Sequence, residues 1–236
     1  MRIFCLDRLE HPDDEWEEAQ SRVVPEWGGS LSYKQVDVQD TDSLEAIIGG
    51  IADEHQRLDG VIAAAGVQQV KPALEYTASE ANEVLSINYT GVLMTAAVSA
   101  RKMMQYRCRG SICLIASMSA YVANKGLVSP VYNSSKAAVV QLARNLAMEW
   151  SPLGQDGTGG IRINCISPGH MMTPMIEKMV EDDPALMERW CRENMMGRLA
   201  RPSEIKGAAL FLLSNASTFM TGSNITLIET YEMPPV

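Results

Sequence analysis

Short apolar runs alternate with longer amphipathic segments along the whole sequence, and this alternation restricts the possible folds more than any other feature. We predict strands over residues 1–6, 31–38, 58–66, 111–116, 161–166 and 222–228. We predict helices over residues 13–24, 43–56, 79–107, 130–150 and 202–214. Strands that alternate with helices form a parallel sheet covered by helices on both faces. The sequence therefore predicts a doubly wound α/β fold with three layers.

Length and composition agree with a single domain over residues 1–236. A chain of 236 residues with 46% hydrophobic and 21% charged residues can bury a sizeable core, and no repeat or break in composition divides it. The formal net charge of −9 argues against nucleic acid or an anionic membrane as the main partner.

The N-terminus has no basic-then-apolar signal pattern, and no run reaches eighteen apolar residues. The five cysteines are scattered and lack Cys-x-x-Cys spacing, so we interpret them as small core residues in a reducing cytoplasm. The three histidines are too far apart in sequence to suggest a metal site. We therefore expect a cytoplasmic protein with no bound metal.

Catalytic chemistry is concentrated between Ser117 and Lys136. Ser117 follows the predicted strand 111–116, while Tyr132 and Lys136 are four residues apart and so share one face of a helix. An ammonium close to a phenol favours the phenolate and should lower the pKa of Tyr132 from about 10. The serine hydroxyl can hydrogen-bond a carbonyl or alcohol oxygen. Tyr-x-x-x-Lys alone is a weak motif, but a strand, a serine and then this motif at a helix start is a specific arrangement.

This arrangement resembles the active site of the short-chain dehydrogenase/reductases, and the resemblance extends over nearly the whole chain. It implies a Rossmann-like fold and a nicotinamide-dependent oxidoreductase that interconverts a secondary alcohol and a ketone. It also implies four catalytic residues. Tyr132 would be the acid and base, Lys136 would lower its pKa and bind ribose, Ser117 would orient the substrate oxygen, and Asn88 would hold a proton relay. Ser119 is the alternative to Ser117.

The resemblance further implies a set of cofactor contacts at the predicted strand ends. Asp7 would bind the adenosine ribose and favour NAD(H), whereas Arg8 could bind a 2′-phosphate and favour NADP(H). Asp37 and Val38 match an acidic pair at the adenine. Ala63-Ala64-Ala65-Gly66 matches the family's Asn-Asn-Ala-Gly turn, with alanine at both asparagine positions. The remaining implied contacts are Tyr132, Lys136, and the nicotinamide-binding segment with Pro168, Gly169, Met171 and Thr173.

Both ends of the chain depart from the family pattern. The family opens with a strand and a glycine-rich turn whose backbone approaches the pyrophosphate. This sequence starts at what should be the second strand, so we expect the first strand and helix, a unit of roughly 30 residues, to be missing. That strand would be central in the sheet. At the other end, residues 228–236 replace the Asp-Gly-Gly sequence with which the family usually ends.

The Met-rich segment around residues 170–200 lies where the family has a substrate lid, although plain core packing is the alternative. Methionine suits an adaptable apolar pocket, so we expect a fairly apolar or polyol-like substrate. For His170 in this segment we favour a surface-loop position over a place in the nicotinamide pocket.

Resemblance to fungal-type polyol and secondary-metabolite reductases suggests a biosynthetic or a sugar-alcohol role for the enzyme. The family also implies a homo-oligomer. The rival hypothesis is a catalytically impaired, family-like protein, either a truncated product or an oligomerisation partner.

Overall fold

Six strands and eight α-helices alternate in a computed structural model that describes residues 1–124 and 126–227. The strands are β1 (Arg2–Asp7), β2 (Ser30–Gln35), β3 (Gly60–Ala63), β4 (Ser111–Ile115), β5 (Arg162–Pro168) and β6 (Asn224–Leu227). The helices are α1 (Trp16–Ser21), α2 (Thr41–His55), α3 (Ala78–Leu85), α4 (Val92–Gln105), α5 (Pro130–Trp150), α6 (Pro174–Asp182), α7 (Ala185–Glu193) and α8 (Lys206–Leu213). The predicted α/β class is confirmed.

Every strand pairing in the described chain is parallel. Strands β3, β4, β5 and β6 form one sheet in that order, with Ile115 opposite Ile166 and Ile166 opposite Ile225. The carboxyl ends of β3, β4 and β5 therefore meet at one edge, where a doubly wound sheet binds its ligands. Buried residues of the sheet pack on α4 and α5, and Ile112, Leu114 and Ile163 are completely inaccessible to solvent.

The remaining two strands form a separate pair. Strands β1 and β2 hydrogen-bond to each other, but within the described residues they do not pair with the four-stranded sheet. Ile3 on β1 and Ile62 on β3 remain 41% and 45% exposed, which is high for isoleucines in strands. A helix-borne cluster holds the two sheets together, because Leu6 of β1 and Leu58 before β3 both pack against Leu44, Ile48 and Val98.

Some element boundaries differ from the sequence predictions for local physical reasons. The helix predicted over 79–107 is interrupted at Ser86–Gly91 by a π-helical turn. Gly91 lies where a Cβ would come within 2.6 Å of Val38, so close packing requires glycine there. The helix predicted over 13–24 shortens to α1, which ends at Ser21, and a separate 3₁₀ turn follows at Pro25–Trp27. Segment 170–200, for which we predicted no elements, contains α6 and α7.

Other predictions fall partly beyond what the structure covers. The last strand ends at Leu227. Residues 228–236, which replace the family's C-terminal Asp-Gly-Gly sequence, lie outside the described residues. Each described cysteine is a free thiol, and no group of three or more potential ligands for a metal ion occurs among the described residues. No helix in the described ranges is long and apolar enough to cross a membrane.

Candidate active site

Tyr132 and Lys136 lie on the first turns of α5, with proline at its first position. The Lys136 Nζ is 5.8 Å from the centroid of the Tyr132 ring. Lys136 is 4% exposed, and its Nζ donates a hydrogen bond of 2.9 Å to the carbonyl oxygen of Ile115, the last residue of β4. The helix therefore delivers the phenol and the ammonium to the carboxyl edge of the sheet, as predicted.

Ser117 lies two residues beyond β4 and faces the same helix. Its side chain interacts with the Tyr132 phenol and accepts a hydrogen bond of 3.1 Å from the Ser119 backbone N–H. The Ser119 hydroxyl instead accepts a bond of 2.6 Å from Asn124. The geometry thus brings Ser117, and not Ser119, to the phenol.

Asn88 is completely buried in the π-helical turn. Its Oδ1 accepts a bond of 2.8 Å from the Val67 N–H, and its Nδ2 donates to the Val67 carbonyl at 2.9 Å. A Cβ added to Gly66 would lie 3.4 Å from the Asn88 Oδ1 and 3.2 Å from the Lys136 Nζ. The loop after β3 therefore passes between Asn88 and Lys136, and only a residue without a side chain fits there comfortably.

Ser135 belongs to this network but was not among the predicted residues. It is fully buried, accepts a bond of 3.0 Å from the Asn88 Nδ2 and donates one of 2.7 Å to the Tyr132 carbonyl. Ser135 thus connects Asn88 to the backbone of the helix that carries Tyr132. A serine between Tyr132 and Lys136 resembles any polar helix residue, so the sequence offered no signal for this contact.

Burial governs the ionisation of the two central groups. Removal from water is the main cause that raises the pKa of Tyr132 above its ordinary value, and the Ser117 side chain opposes this increase. Removal from water also lowers the pKa of Lys136 to about 8. The expectation that Lys136 brings the phenol pKa down was wrong for this structure. Desolvation is the largest cause of the shift, Lys136 is not among the groups that change the phenol pKa, and its ammonium points to the Ile115 carbonyl.

The residues predicted to contact an adenosine lie near the ends of β1, β2 and β3, and all of them except Val38 are exposed. The Asp7 carboxylate accepts a hydrogen bond of 3.0 Å from the Leu9 N–H, and Arg8 beside it is also exposed. Asp37 accepts a bond of 2.9 Å from the Gln39 N–H, while Val38 is half-buried against Gly91. Ala64 and Gly66 are exposed just after β3. Both carboxylates satisfy backbone donors in their own turns and remain accessible.

The segment predicted to hold a nicotinamide continues directly from β5. Pro168 is buried at the strand end, and the Gly169 N–H donates to the Leu227 carbonyl at 2.8 Å. Met171 forms an isolated parallel bridge with Ala200. The Thr173 hydroxyl caps α6 by accepting from the Ile176 N–H at 3.4 Å. Pro168 and Gly169 therefore lie beside the β4 end that precedes Ser117, while Thr173 already has a structural role.

His170 contradicts the sequence prediction, because it is 8% exposed and not on a surface loop. Its ring stacks on the indole of Trp190 in α7, with centroids 4.4 Å apart and planes 18° apart. Burial lowers the pKa of His170 to about 4, so the imidazole is neutral at pH 7. The stacking partner lies twenty residues away in sequence, which explains why the local pattern could not place this histidine.

The Met-rich segment forms its own small core. Met172, Met179 and Met187 pack against a cluster that contains Leu127, Ile176, Leu186, Trp190 and Leu199. Met195 and Met196 are more than half exposed. Core packing, the alternative to a lid, thus describes these three partly buried methionines. The same cluster includes Leu127 from the loop between Ser117 and Tyr132, so the segment lies against the active-site loop.

Comparison with known proteins agrees with this geometry. A family model described as "Enoyl-(Acyl carrier protein) reductase" matches residues 9–227. A short-chain dehydrogenase/reductase of Aspergillus versicolor is 36% identical over 225 residues, which cover 94% of this chain and 76% of that protein. The ribulose-forming D-arabinitol 2-dehydrogenase of Scheffersomyces stipitis is 33% identical over 206 residues, covering 86% and 72% respectively. A crystal structure of NAD+-bound xylitol dehydrogenase superposes with a TM-score of 0.81 at 26% identity, covering 96% of this chain and 88% of that one.

Proposed function

The chain belongs to the short-chain dehydrogenase/reductase family, and we propose that it interconverts a secondary alcohol and a ketone with a nicotinamide cofactor. The observation that carries this proposal is the convergence of Asn88, Ser117, Tyr132 and Lys136 at one edge of the sheet. A polyol is the substrate class we favour, since the relatives include a D-arabinitol 2-dehydrogenase.

In this proposal the substrate oxygen binds between the hydroxyls of Ser117 and Tyr132. During oxidation the alcohol proton moves to the ionised Tyr132 oxygen, and during reduction the neutral phenol returns a proton to the carbonyl oxygen. A bound nicotinamide ring supplies the other half of the chemistry, acceptance or donation of the hydride. Ser117 orients the oxygen, and Lys136 would bind the ribose of the nicotinamide. Asn88 hydrogen-bonds the backbone of Val67 and so holds in place the loop after β3, which lies between Asn88 and Lys136.

The raised pKa of Tyr132 has a consequence for the direction of the reaction. A phenol that stays protonated at neutral pH is ready to donate a proton, which suits ketone reduction. Oxidation needs the ionised form, so its rate should increase with pH. This sign follows from the burial that raises the pKa of the phenol.

The residues of this chain fit the nicotinamide end of a dinucleotide better than the pyrophosphate. Pro168, Gly169 and Met171 would hold the nicotinamide, and Lys136 with Tyr132 would face the attached ribose. Asp7 would contact the adenosine ribose and favour NAD(H) by repelling a 2′-phosphate, whereas the exposed Arg8 next to it could reverse that preference. Asp37, Val38 and Ala64 would line the adenine, with Gly66 leaving room above Lys136. We favour NAD(H) on the strength of the Asp7 carboxylate.

We also propose that the dinucleotide site is completed by a unit of strand, glycine-rich turn and helix. The strand of this unit would pair with β1 on one side and with β3 on the other. Two observations support this: the unpaired state of the two sheets within the described residues, and the exposed isoleucines Ile3 and Ile62. A fusion that adds such a unit upstream should raise both cofactor affinity and melting temperature. If the fusion changes neither quantity, the two sheets are already complete in this protein.

Assembly and location follow the family expectation. We propose a single cytoplasmic domain that forms a homo-oligomer through α4 and α5. A monomer by light scattering at micromolar concentration would contradict this assembly.

One experiment separates the enzyme from the rival hypothesis of a catalytically impaired relative or oligomerisation partner. NADH fluorescence titration measures cofactor binding, and NADH formation from D-arabinitol measures turnover. The enzyme hypothesis predicts saturable binding and steady turnover. Binding without turnover, or neither, would favour the impaired protein.

A further inference from the structure

The helix that carries Tyr132 begins without a side-chain cap. Ser129 occupies the N-cap position of α5, where a serine hydroxyl normally accepts a hydrogen bond from a backbone N–H of the first turn, but its side chain makes no such bond. Ser129 is buried, with 2% of its surface exposed. Because an uncapped helix start is less stable, the first turn of α5 depends on contacts from other parts of the chain.

The loop after β3, residues 64–71, supplies two of these contacts directly. The Gln68 Nε2 donates a hydrogen bond of 3.3 Å to the Ser129 hydroxyl, and the Lys71 backbone N–H donates one of 2.8 Å to the Val128 carbonyl. Val128 and Ser129 are the two residues that immediately precede α5. The loop therefore binds the chain at the point where the helix begins.

A third connection runs through side chains and reaches the backbone of Tyr132. The Asn88 side chain pairs with both backbone groups of Val67 in the same loop, and its Nδ2 also donates to the Ser135 hydroxyl at 3.0 Å. Ser135 is completely buried and donates in turn to the Tyr132 carbonyl at 2.7 Å. A continuous hydrogen-bonded path thus leads from the loop after β3 to the residue that carries the phenol.

We propose that Gln68 and Ser135 are positioning residues, which hold the first turn of α5 against the loop after β3 and so fix the place of the Tyr132 phenol. Neither residue needs to touch the substrate, because each acts through a hydrogen bond to α5 or to its N-cap. A misplacement of about 1 Å at a reacting group can cost about 10²-fold in rate, so a small shift of this turn would matter. This inference rests on the proposed function, in which Tyr132 is the acid and base.

The sequence provides a matched control for each positioning residue. Ser135→Ala and Gln68→Ala each remove one connection between the loop and the helix. Ser134→Ala and Gln69→Ala change the adjacent residue of the same type, and neither of these two side chains hydrogen-bonds to a described residue. Ser134 is exposed on α5, and Gln69 contributes only its backbone carbonyl, which accepts from a tyrosine hydroxyl.

The ionisation of Tyr132 can be followed in all four variants without any turnover. Protein labelled with 13C at the tyrosine Cζ contains seven labelled positions, and Tyr132→Phe assigns the relevant resonance. The chemical shift of Cζ changes when the phenol ionises, so a pH titration gives the pH at which Tyr132 loses its proton. Rates of NADH formation from D-arabinitol give kcat and KM for the same proteins.

Ser135→Ala and Gln68→Ala should both loosen the first turn and let water reach the phenol. Burial raises the pKa of Tyr132 in the wild type, so ionisation should begin at a lower pH in these variants, towards the ordinary value of about 10. The charge of Lys136, 5.8 Å from the ring centroid, is present in every variant and does not account for a difference. We expect kcat to fall by about 10–10²-fold, while Ser134→Ala and Gln69→Ala keep the wild-type values.

An unchanged titration of Tyr132 in Ser135→Ala or in Gln68→Ala would overturn the positioning role of that residue, even if its unfolding midpoint is lower. A purely structural contact would change the unfolding midpoint alone. Equal changes in the matched controls would also overturn the proposal. Gln68 lies in a loop, so Gln68→Ala should fold even if the buried Ser135→Ala does not, and its titration then decides the outcome.

The results also separate this inference from the proposed function. A shifted Tyr132 titration in a protein without turnover would support the positioning role and contradict the enzyme. Turnover of D-arabinitol with an unshifted titration in both variants would leave the enzyme standing and overturn the positioning role.

Discussion

Replacing Asn88 by alanine tests how the site is held together. The side chain satisfies both the N–H and the carbonyl of Val67, and it also donates to Ser135. Asn88→Ala leaves the two backbone groups of Val67 unpaired at a site with no solvent access to the side chain. At about 1–3 kcal/mol for each unsatisfied group, the expected loss is about 2–6 kcal/mol. Folded domains have only ~5–15 kcal/mol in reserve, so this single change should be severe.

Urea unfolding followed by circular dichroism measures this loss. The matched control is Asn82→Ala on the exposed side of α3, which should change the free energy of unfolding by no more than about 0.5 kcal/mol. Turnover should fall as well, because Val67 follows Gly66 and the loop would then be free to move away from Lys136. An Asn88→Ala protein within 1 kcal/mol of the wild type, roughly the lower limit for one lost group, would refute the reasoning.

Two further changes probe charge and cofactor choice. Lys136→Met should stabilise the fold at pH 7 by up to about 3 kcal/mol while it stops turnover, because burial holds the lysine pKa near 8 instead of 10.5. Between pH 8 and pH 10.5 the unfolded chain binds more protons than the folded chain, so the destabilisation caused by the buried Lys136 is largest below pH 8 and disappears towards pH 10.5. Chemical unfolding of the variant and the wild type at both ends of this pH window measures that destabilisation. A variant that is less stable than the wild type at pH 7 would contradict the prediction. The wild type should have a higher kcat/KM with NAD than with NADP, and Asp7→Ala should reduce that preference about tenfold because the carboxylate no longer repels a 2′-phosphate. A clear wild-type preference for NADP would contradict the role given to Asp7.

The sequence predicted the elements that carry strong local signals. Strand 111–116 is a continuous apolar run with serine after it, and it appears almost unchanged as β4. The pair Tyr132 and Lys136 depends only on helical spacing, which the first turns of α5 reproduce. Where the chain's own pattern decides the conformation, prediction from sequence succeeded.

Contacts between distant segments decided the rest. The neutral, buried state of His170 depends on an indole twenty residues away, and the raised pKa of Tyr132 depends mainly on the removal of its phenol from water by several segments. The π-helical turn at Asn88 arises from a sequence that favours a continuous helix, and the Val67 backbone completes it from another loop. The local sequence pattern reveals neither the indole that stacks on His170 nor the Val67 backbone that pairs with Asn88.

The most direct test of the proposed chemistry is the rate of NADH formation from D-arabinitol by the wild type and by Tyr132→Phe in parallel. The variant loses one hydroxyl at a helix start, so its unfolding midpoint and its NADH affinity should match those of the wild type. We predict that turnover falls by about 10²–10⁴-fold, the usual contribution of a positioned acid and base. A Tyr132→Phe protein that keeps most of the wild-type rate would contradict the catalytic assignment.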